Sequence, residues 1–181
     1  MKAGSVWAKA KKYRPDWLTL VLLGLIVYVW FRPPAWVSDE NRAAPPMVFA
    51  LLDGRQTSLE QLRGKVVLVN FWATWCPYCR HEMPDMERFY RDYHAQGFEI
   101  LALSQDDAPE TVRQFMLKES YHFPVAMAEA QHSTAFGGVR KLPTSYLIDQ
   151  QGRIRHKISG QVHYARLEDL VKPLLEEKLQ P

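Results

Sequence analysis

Residues 65–79 read KVVLVNFWATWCPYC. Lys65 to Phe71 is an almost unbroken apolar run rich in valine, which predicts a strand buried on both faces. The run leads into Trp75-Cys76-Pro77-Tyr78-Cys79, and a helix is predicted to start near Pro77, since a first turn tolerates a residue with no N–H. A strand entering a helix at a Cys-x-x-Cys pair decides the fold class. It puts Cys76 at a helix N-terminus, where unpaired N–H groups and the macrodipole favour a thiolate. Cys79 falls one turn further on the same face, close enough to close a ring with Cys76. Thiolate is the nucleophile of disulfide exchange, and Cys-x-x-Cys thiols in this setting ionise readily. The pair is therefore predicted to trade disulfides through a mixed-disulfide intermediate.

Other uses of two cysteines fit less well. Covalent haem needs a histidine directly after the pair, and Arg80 stands there. Zinc would need two further ligands, and His81 is adjacent to the motif instead of across a loop from it. A structural disulfide is the standing alternative. His94, His122, His132, His156 and His163 are scattered without ligand spacing and read as surface or satisfied histidines, and the methionines at 83, 86 and 116 read as helix core. Arg80 and His81 read either as electrostatic support for the Cys76 thiolate or as a solvated helix turn.

Outward from the motif, the helix runs to about His94 with Met83, Met86, Phe89, Tyr90 and Tyr93 on its apolar face, a kink at Pro84 and a stop at Gly97. Phe98 to Leu103 is a second strand, Pro109 opens a helix bearing Val112, Phe115 and Met116, and Phe123 to Met127 is a short strand before a brief helix near Ser133. Ser145–Asp149 and Ile154–Ile158 form a hairpin about a Gln151-Gly152 turn. A last helix carries Leu167, Leu170, Val171, Leu174 and Leu175, with Pro173 inside it. Before the motif, Val48–Leu52 is a strand closed by Asp53-Gly54, and Thr57-Ser58 caps a short helix. Strands alternating with helices, then a hairpin and a helix, indicate an α/β domain with a mixed sheet.

Composition agrees with one such domain plus an anchor. The chain has 181 residues, 47% hydrophobic and 24% charged, with two cysteines and a net charge of +3. That excludes a disordered or disulfide-dense chain and gives no basis for binding nucleic acid. Trp17 to Phe31 carries no charge; at about 1.5 Å per residue it spans roughly 22 Å against a hydrocarbon core of ~30 Å, a gap that flanking Trp17, Trp30, Trp36, Arg14 and Arg32 make up. Lys2, Lys9, Lys11, Lys12 and Arg14 precede it, so the positive-inside rule places the N-terminus in the cytoplasm and the domain outside. A cleaved signal peptide is the rival reading, though Arg32-Pro33-Pro34-Ala35-Trp36 is a poor cleavage site. The organisation read here is a basic leader at 1–16, an anchor at 17–37, a linker at 38–45 and the domain at 46–181.

Asn70 to Cys79 followed by Glu82-Met83-Pro84 resembles the membrane-anchored TlpA/ResA/CcmG (DsbE) branch of the thioredoxin superfamily. Leu59, Leu62-Arg63-Gly64-Lys65, Gly97 to Ser104, Leu142 to Asp149 and Gly152-Arg153-Ile154 extend the likeness over residues 46–178. The resemblance implies a thioredoxin fold with an N-terminal β extension and a central insertion, and further roles. Pro143 matches the cis-proline that faces the pair and readies the Leu142 backbone for an extended substrate; from the residues alone it is equally an ordinary loop proline. Glu82 matches a partly buried acid, able to take a proton from Cys79 or raise the thiol pKa values; alone it reads as a solvated helix glutamate. Asn70 stands where ordinary thioredoxins carry an aspartate, and Pro77-Tyr78 departs from the branch.

The chain is thus expected to be a tethered thiol–disulfide oxidoreductase. Cys76 attacks, Cys79 and Glu82 resolve, and Trp75, Pro77, Tyr78, Leu142 and Pro143 meet the client. No cofactor is expected beyond the Cys76–Cys79 pair. The resemblance implies protein thiol clients in cytochrome c maturation or copper-centre assembly, and a DsbD-type membrane reductase as electron source. The alternatives are a disulfide donor or isomerase, a peroxide-reducing relative, which the absence of a third cysteine disfavours, and a binding module stapled by a structural disulfide.

Overall fold

The computed structural model describes residues 16–31 and 37–177. These fall into two compact units, Met1–Pro34 and Ala35–Pro181. In the first, α1 (Trp17–Phe31) is a 15-residue helix whose side chains from Trp17 to Tyr28 are largely exposed although nearly all are apolar. Among the described residues no helix is long and apolar enough to cross a membrane. The basic leader, apart from Asp16, and Arg32 to Trp36 lie outside the described residues.

The second unit is a three-layer α/β domain. Its elements are β1 (Val37–Ala43), β2 (Val48–Ala50), β3 (Gln56–Ser58), β4 (Val66–Trp72), α2 (Pro77–Tyr93), β5 (Phe98–Ser104), α3 (Pro109–Glu119), β6 (Val125–Met127), α4 (Ala130–Ala135), β7 (Thr144–Ile148), β8 (Arg153–Ser159) and α5 (Tyr164–Glu176). The main sheet runs β1-β8-β7-β4-β5-β6. β4, β5 and β6 are parallel, and β7, β8 and β1 each pair antiparallel to their neighbour.

β4 lies at the middle of this sheet and every residue of it is buried. Its side chains alternate faces, as a pleated strand must. Val66, Leu68 and Trp72 join the core that also holds Met83, Met86 and Phe89 of α2 and Leu167, Val171 and Leu174 of α5. Val67, Val69 and Phe71 join a second core with Phe49, Phe136 and Tyr146. Asn70 has the parity of the first set, so the strand delivers a polar side chain into the layer occupied by α2.

Two expectations need correction. Residues 38–45 are not a linker: Val37–Ala43 is an edge strand whose backbone pairs with β8 across an irregularity between Asp39 and Arg42. The domain therefore begins before residue 46, and Val37 belongs to it instead of the anchor. Thr57-Ser58 does not cap a helix but ends β3, paired antiparallel with β2. Ser58 Oγ accepts the Gln61 N–H at 3.2 Å, yet only turns follow before Gly64, at φ 86°. Pro84 lies within α2 without ending it.

Aromatic packing fastens α2 to the sheet. Phe89 is fully buried, stacked on Tyr93 at 4.3 Å between ring centroids and edge-on to Phe98 at 5.0 Å and Tyr164 at 5.3 Å. Phe89→Ala removes the common member of these contacts and leaves a cavity, so a loss of about 3–5 kcal/mol is predicted from urea unfolding curves.

Candidate active site

The cysteine pair sits where β4 hands the chain to α2, and the intervening turn is tied down. The Gln105 N–H donates to the Trp72 carbonyl at 2.8 Å, and the Thr74 N–H and hydroxyl donate to the Asp106 carboxylate at 2.8 and 2.5 Å. Cys76 is the N-cap of α2, with extended backbone, and its Sγ accepts the Cys79 N–H at 3.3 Å. A sulfur so placed caps the N-terminal end of a 17-residue helix.

Both cysteines are free thiols. Cys76 keeps 5% of its surface exposed and Cys79 none. Burial pushes the Cys79 thiol far above its ordinary value, with smaller upward contributions from its hydrogen bond with Cys76 and the nearby charge of Glu82. Both cysteines are thus buried, Cys79 completely, and its thiol is held protonated.

Glu82, one turn beyond Cys79, has no solvent exposure. Its Oε1 accepts from Asn70 Nδ2 at 2.8 Å and its Oε2 from the Val162 N–H at 2.9 Å. Burial raises its pKa to about 8, even though both hydrogen bonds favour the ionised form. The solvated-glutamate reading is therefore set aside: the apolar face of α2 carries this carboxyl into the core.

Two clefts flank the motif, which projects Trp75 and Tyr78 as exposed side chains. One, of about 640 Å³, is lined by Tyr78, Leu142, Pro143, the Ser159–Gln161 loop and the start of α5. The Leu142–Pro143 peptide is cis, and Gln161 Nε2 donates to the Tyr78 carbonyl at 3.0 Å. The other, of about 380 Å³, is lined by Trp75, Pro77, Arg80, His81, Pro84, Phe115, Glu119 and Tyr121. The residues expected to meet a client are thus divided, with Tyr78, Leu142 and Pro143 on one side and Trp75 and Pro77 on the other. Arg80 lies over the Phe115 ring at 5.6 Å.

Residues 41–157 match the model of the AhpC/TSA family. The chain belongs to that family. Within it, the thiol-disulfide oxidoreductase ResA of Bacillus anthracis is 35% identical over 170 residues, covering 91% of this chain and 98% of the relative. ResA of Geobacillus thermodenitrificans is 36% identical over 143 residues, covering 79% and 82%. A solved thiol:disulfide interchange protein of the thioredoxin family from Chlorobium tepidum TLS shares the fold at a TM-score of 0.71 and 32% identity, covering 76% of this chain and 99% of that one. The protein is accordingly a thiol–disulfide oxidoreductase of ResA type on a thioredoxin fold.

In this oxidoreductase several contributors were not evident in the sequence. Asp106 anchors the turn before Cys76, Gln161 ties the motif to the loop after β8, and Ser145 pairs with Asn70 across the sheet and accepts from its Nδ2 at 2.9 Å. All are distant in sequence from the sulfurs. Asn70 and Ser145 share a signal only through strand alternation and register.

The raised pKa of Glu82 has a stability consequence with a definite sign. Its folded value of about 8 exceeds the ordinary 4.5, so the folded state holds this proton more tightly. The corresponding stabilisation is complete below about pH 4.5 and is lost as pH rises through about 8. At about 1.4 kcal/mol per pKa unit the loss amounts to several kcal/mol. Urea unfolding of the reduced protein is predicted to show this decline, and Glu82→Gln to remove it.

Proposed function

We propose that the protein is a membrane-tethered reductant of client disulfides on the far side of the cytoplasmic membrane. Cys76 thiolate attacks the client disulfide, forming a mixed disulfide and releasing the client's other thiolate. Glu82 takes the Cys79 proton, and Cys79 attacks the Cys76 sulfur, closing the ring and releasing the remaining client thiolate. The observation that carries this reading is the asymmetry of the pair: a cysteine that keeps 5% of its surface exposed at a helix N-terminus, and a fully buried cysteine one turn from a buried carboxyl.

The same asymmetry favours the reducing direction. Strong oxidants of this class owe their potential to a stabilised reduced form, usually a stabilised thiolate. Here burial and a neighbouring carboxyl work against a second thiolate at Cys79, leaving it ready to give electrons up. Trp75 and Tyr78 border the two clefts, and the client segment is proposed to lie along Tyr78, Leu142 and Pro143.

The tether is supported by α1, apolar all round and preceded by five basic residues against Asp16, which orients the N-terminus to the cytoplasm. A tethered domain works at high effective concentration toward membrane partners. Family resemblance points to apocytochrome c cysteines or those of a copper-centre assembly protein as clients, with a DsbD-type protein returning electrons.

Reaction with a disulfide-bonded peptide tests the scheme. Cys76→Ala is predicted to abolish turnover, whereas Cys79→Ala accumulates a covalent adduct visible by mass. Glu82→Gln retains the first step but slows resolution by about 10²-fold, and only the parent shows resolution rising with pH to a plateau beyond about 8. A Cys79→Ala protein that forms no adduct, or a Glu82→Gln protein that resolves at the parent rate, contradicts the assigned roles.

A further inference from the structure

Glu82 must exist in two states if it takes a proton from Cys79, and its surroundings serve the two states unequally. Oε2 faces the Val162 N–H at 2.9 Å, a group that only donates. A proton on the carboxyl therefore belongs on Oε1, which faces Asn70 at 2.8 Å. Asn70 meets Oε1 with its nitrogen, and that same nitrogen donates to Ser145 Oγ at 2.9 Å. Its oxygen, fully buried, has no hydrogen-bond partner among the described residues. This arrangement suits a carboxylate: two amide hydrogens meet two acceptors. It does not suit the acid, whose O–H would point at an N–H.

We infer that Asn70 is a positioning residue that follows the proton on Glu82: its amide offers nitrogen to the carboxylate and, turned about Cβ–Cγ, offers oxygen to the acid, with the Ser145 hydroxyl as second partner in both settings. On the side facing Glu82 and Ser145 the turned amide is matched too, while its nitrogen takes the place in which the oxygen had no partner. The two lone pairs of the amide oxygen receive the Glu82 O–H and the Ser145 O–H, since a hydroxyl both donates and accepts. The register Asn70↔Ser145 between β4 and β7 holds the two side chains side by side, and both are fully buried. An amide atom left unpartnered in a core is costly, and a leucine would avoid that cost. A side chain that can present either end toward one carboxyl oxygen gives the cost a purpose.

The other groups facing Glu82 do not replace it. From α2 itself come the titratable thiols of Cys79 and Cys76. From β4, β7 and the loop before α5 come Asn70, Ser145 and the Val162 backbone, all uncharged. Asp85 and His163 form the next pair outward, 3.4 Å apart. When Cys79 loses its proton to Glu82 and displaces the client sulfur from Cys76, the proton rests on Oε1 and the amide turns to receive it. When the proton leaves, the amide turns back. The inference rests on the reading of Glu82 as the base for Cys79.

The direct test is side-chain NMR of the Asn70 amide in the reduced full chain, titrated from about pH 6 to 10. The Asn70 NδH₂ signals should move with a midpoint near that of the Glu82 carboxyl, about 8. In Glu82→Gln the new amide donates from the Oε1 position, so Asn70 should hold its low-pH signals at every pH. Asn70 signals that stay fixed while the Glu82 carboxyl carbon titrates would overturn the inference, leaving a static donor. Independently, Asn70→Leu should slow resolution of the mixed disulfide by about tenfold, the effect of one lost charge-assisted hydrogen bond, and displace its pH profile upward. An unchanged profile in that variant also counts against it. Failure of the underlying reading has a different signature, parent-rate resolution in Glu82→Gln, and it removes the positioning role altogether.

Discussion

The burial of one carboxyl group organises this active site. Glu82 has no solvent exposure, sits one turn from a thiol that has none, and accepts hydrogen bonds from Asn70 and the Val162 backbone. Keeping an ionisable group there raises its pKa, and the same low-polarity surroundings keep Cys79 protonated. Burial hinders ionisation of both groups, and the charge of Glu82 adds to that effect at Cys79. The remaining architecture holds these groups in place. β4 carries Asn70, α2 carries both sulfurs and the acid, β7 carries Ser145, and the loop before α5 supplies the backbone donor.

The α/β scaffold makes such a centre possible because β4 is covered on both faces. A strand with one wet face would hydrate Asn70 and return Glu82 to an ordinary acidity. Cys76 lies at the edge of the core as the N-cap of α2, and the Thr74–Asp106 clasp with the Gln105–Trp72 hydrogen bond fixes the turn that leads to it. One cleft is lined by Tyr78 and the other by Trp75 and Pro77, the neighbours of Cys76 in the chain.

Much of this was legible locally. The valine run, the Pro77 helix start, the terminal hairpin and the 3.6-residue stripe of α5 each declare themselves within a dozen residues. What escaped is non-local. β1 reads VSDENRA, with no apolar alternation, because an edge strand is held through its backbone to β8 and needs no buried face. Gln56–Ser58 carries helix-cap residues yet pairs with β2, since three residues of sheet partner outweigh a weak local preference. Asn70, marked in the sequence only as a departure from a usual aspartate, acquires its place from strand parity and the register with Ser145. Resemblance, and not periodicity, singled out Glu82 and Pro143; the structure supplied the burial of the first and the cleft beside the second.

The equilibrium reduction potential of the Cys76–Cys79 pair bears most directly on the claim that a buried thiol and a buried acid make a reductant. Tryptophan fluorescence in a dithiothreitol or glutathione series reads it. A value near the ~ −270 mV of thioredoxin is expected. A value near the ~ −120 mV of strong disulfide oxidants would mean that the reduced form is stabilised after all, and would contradict that claim.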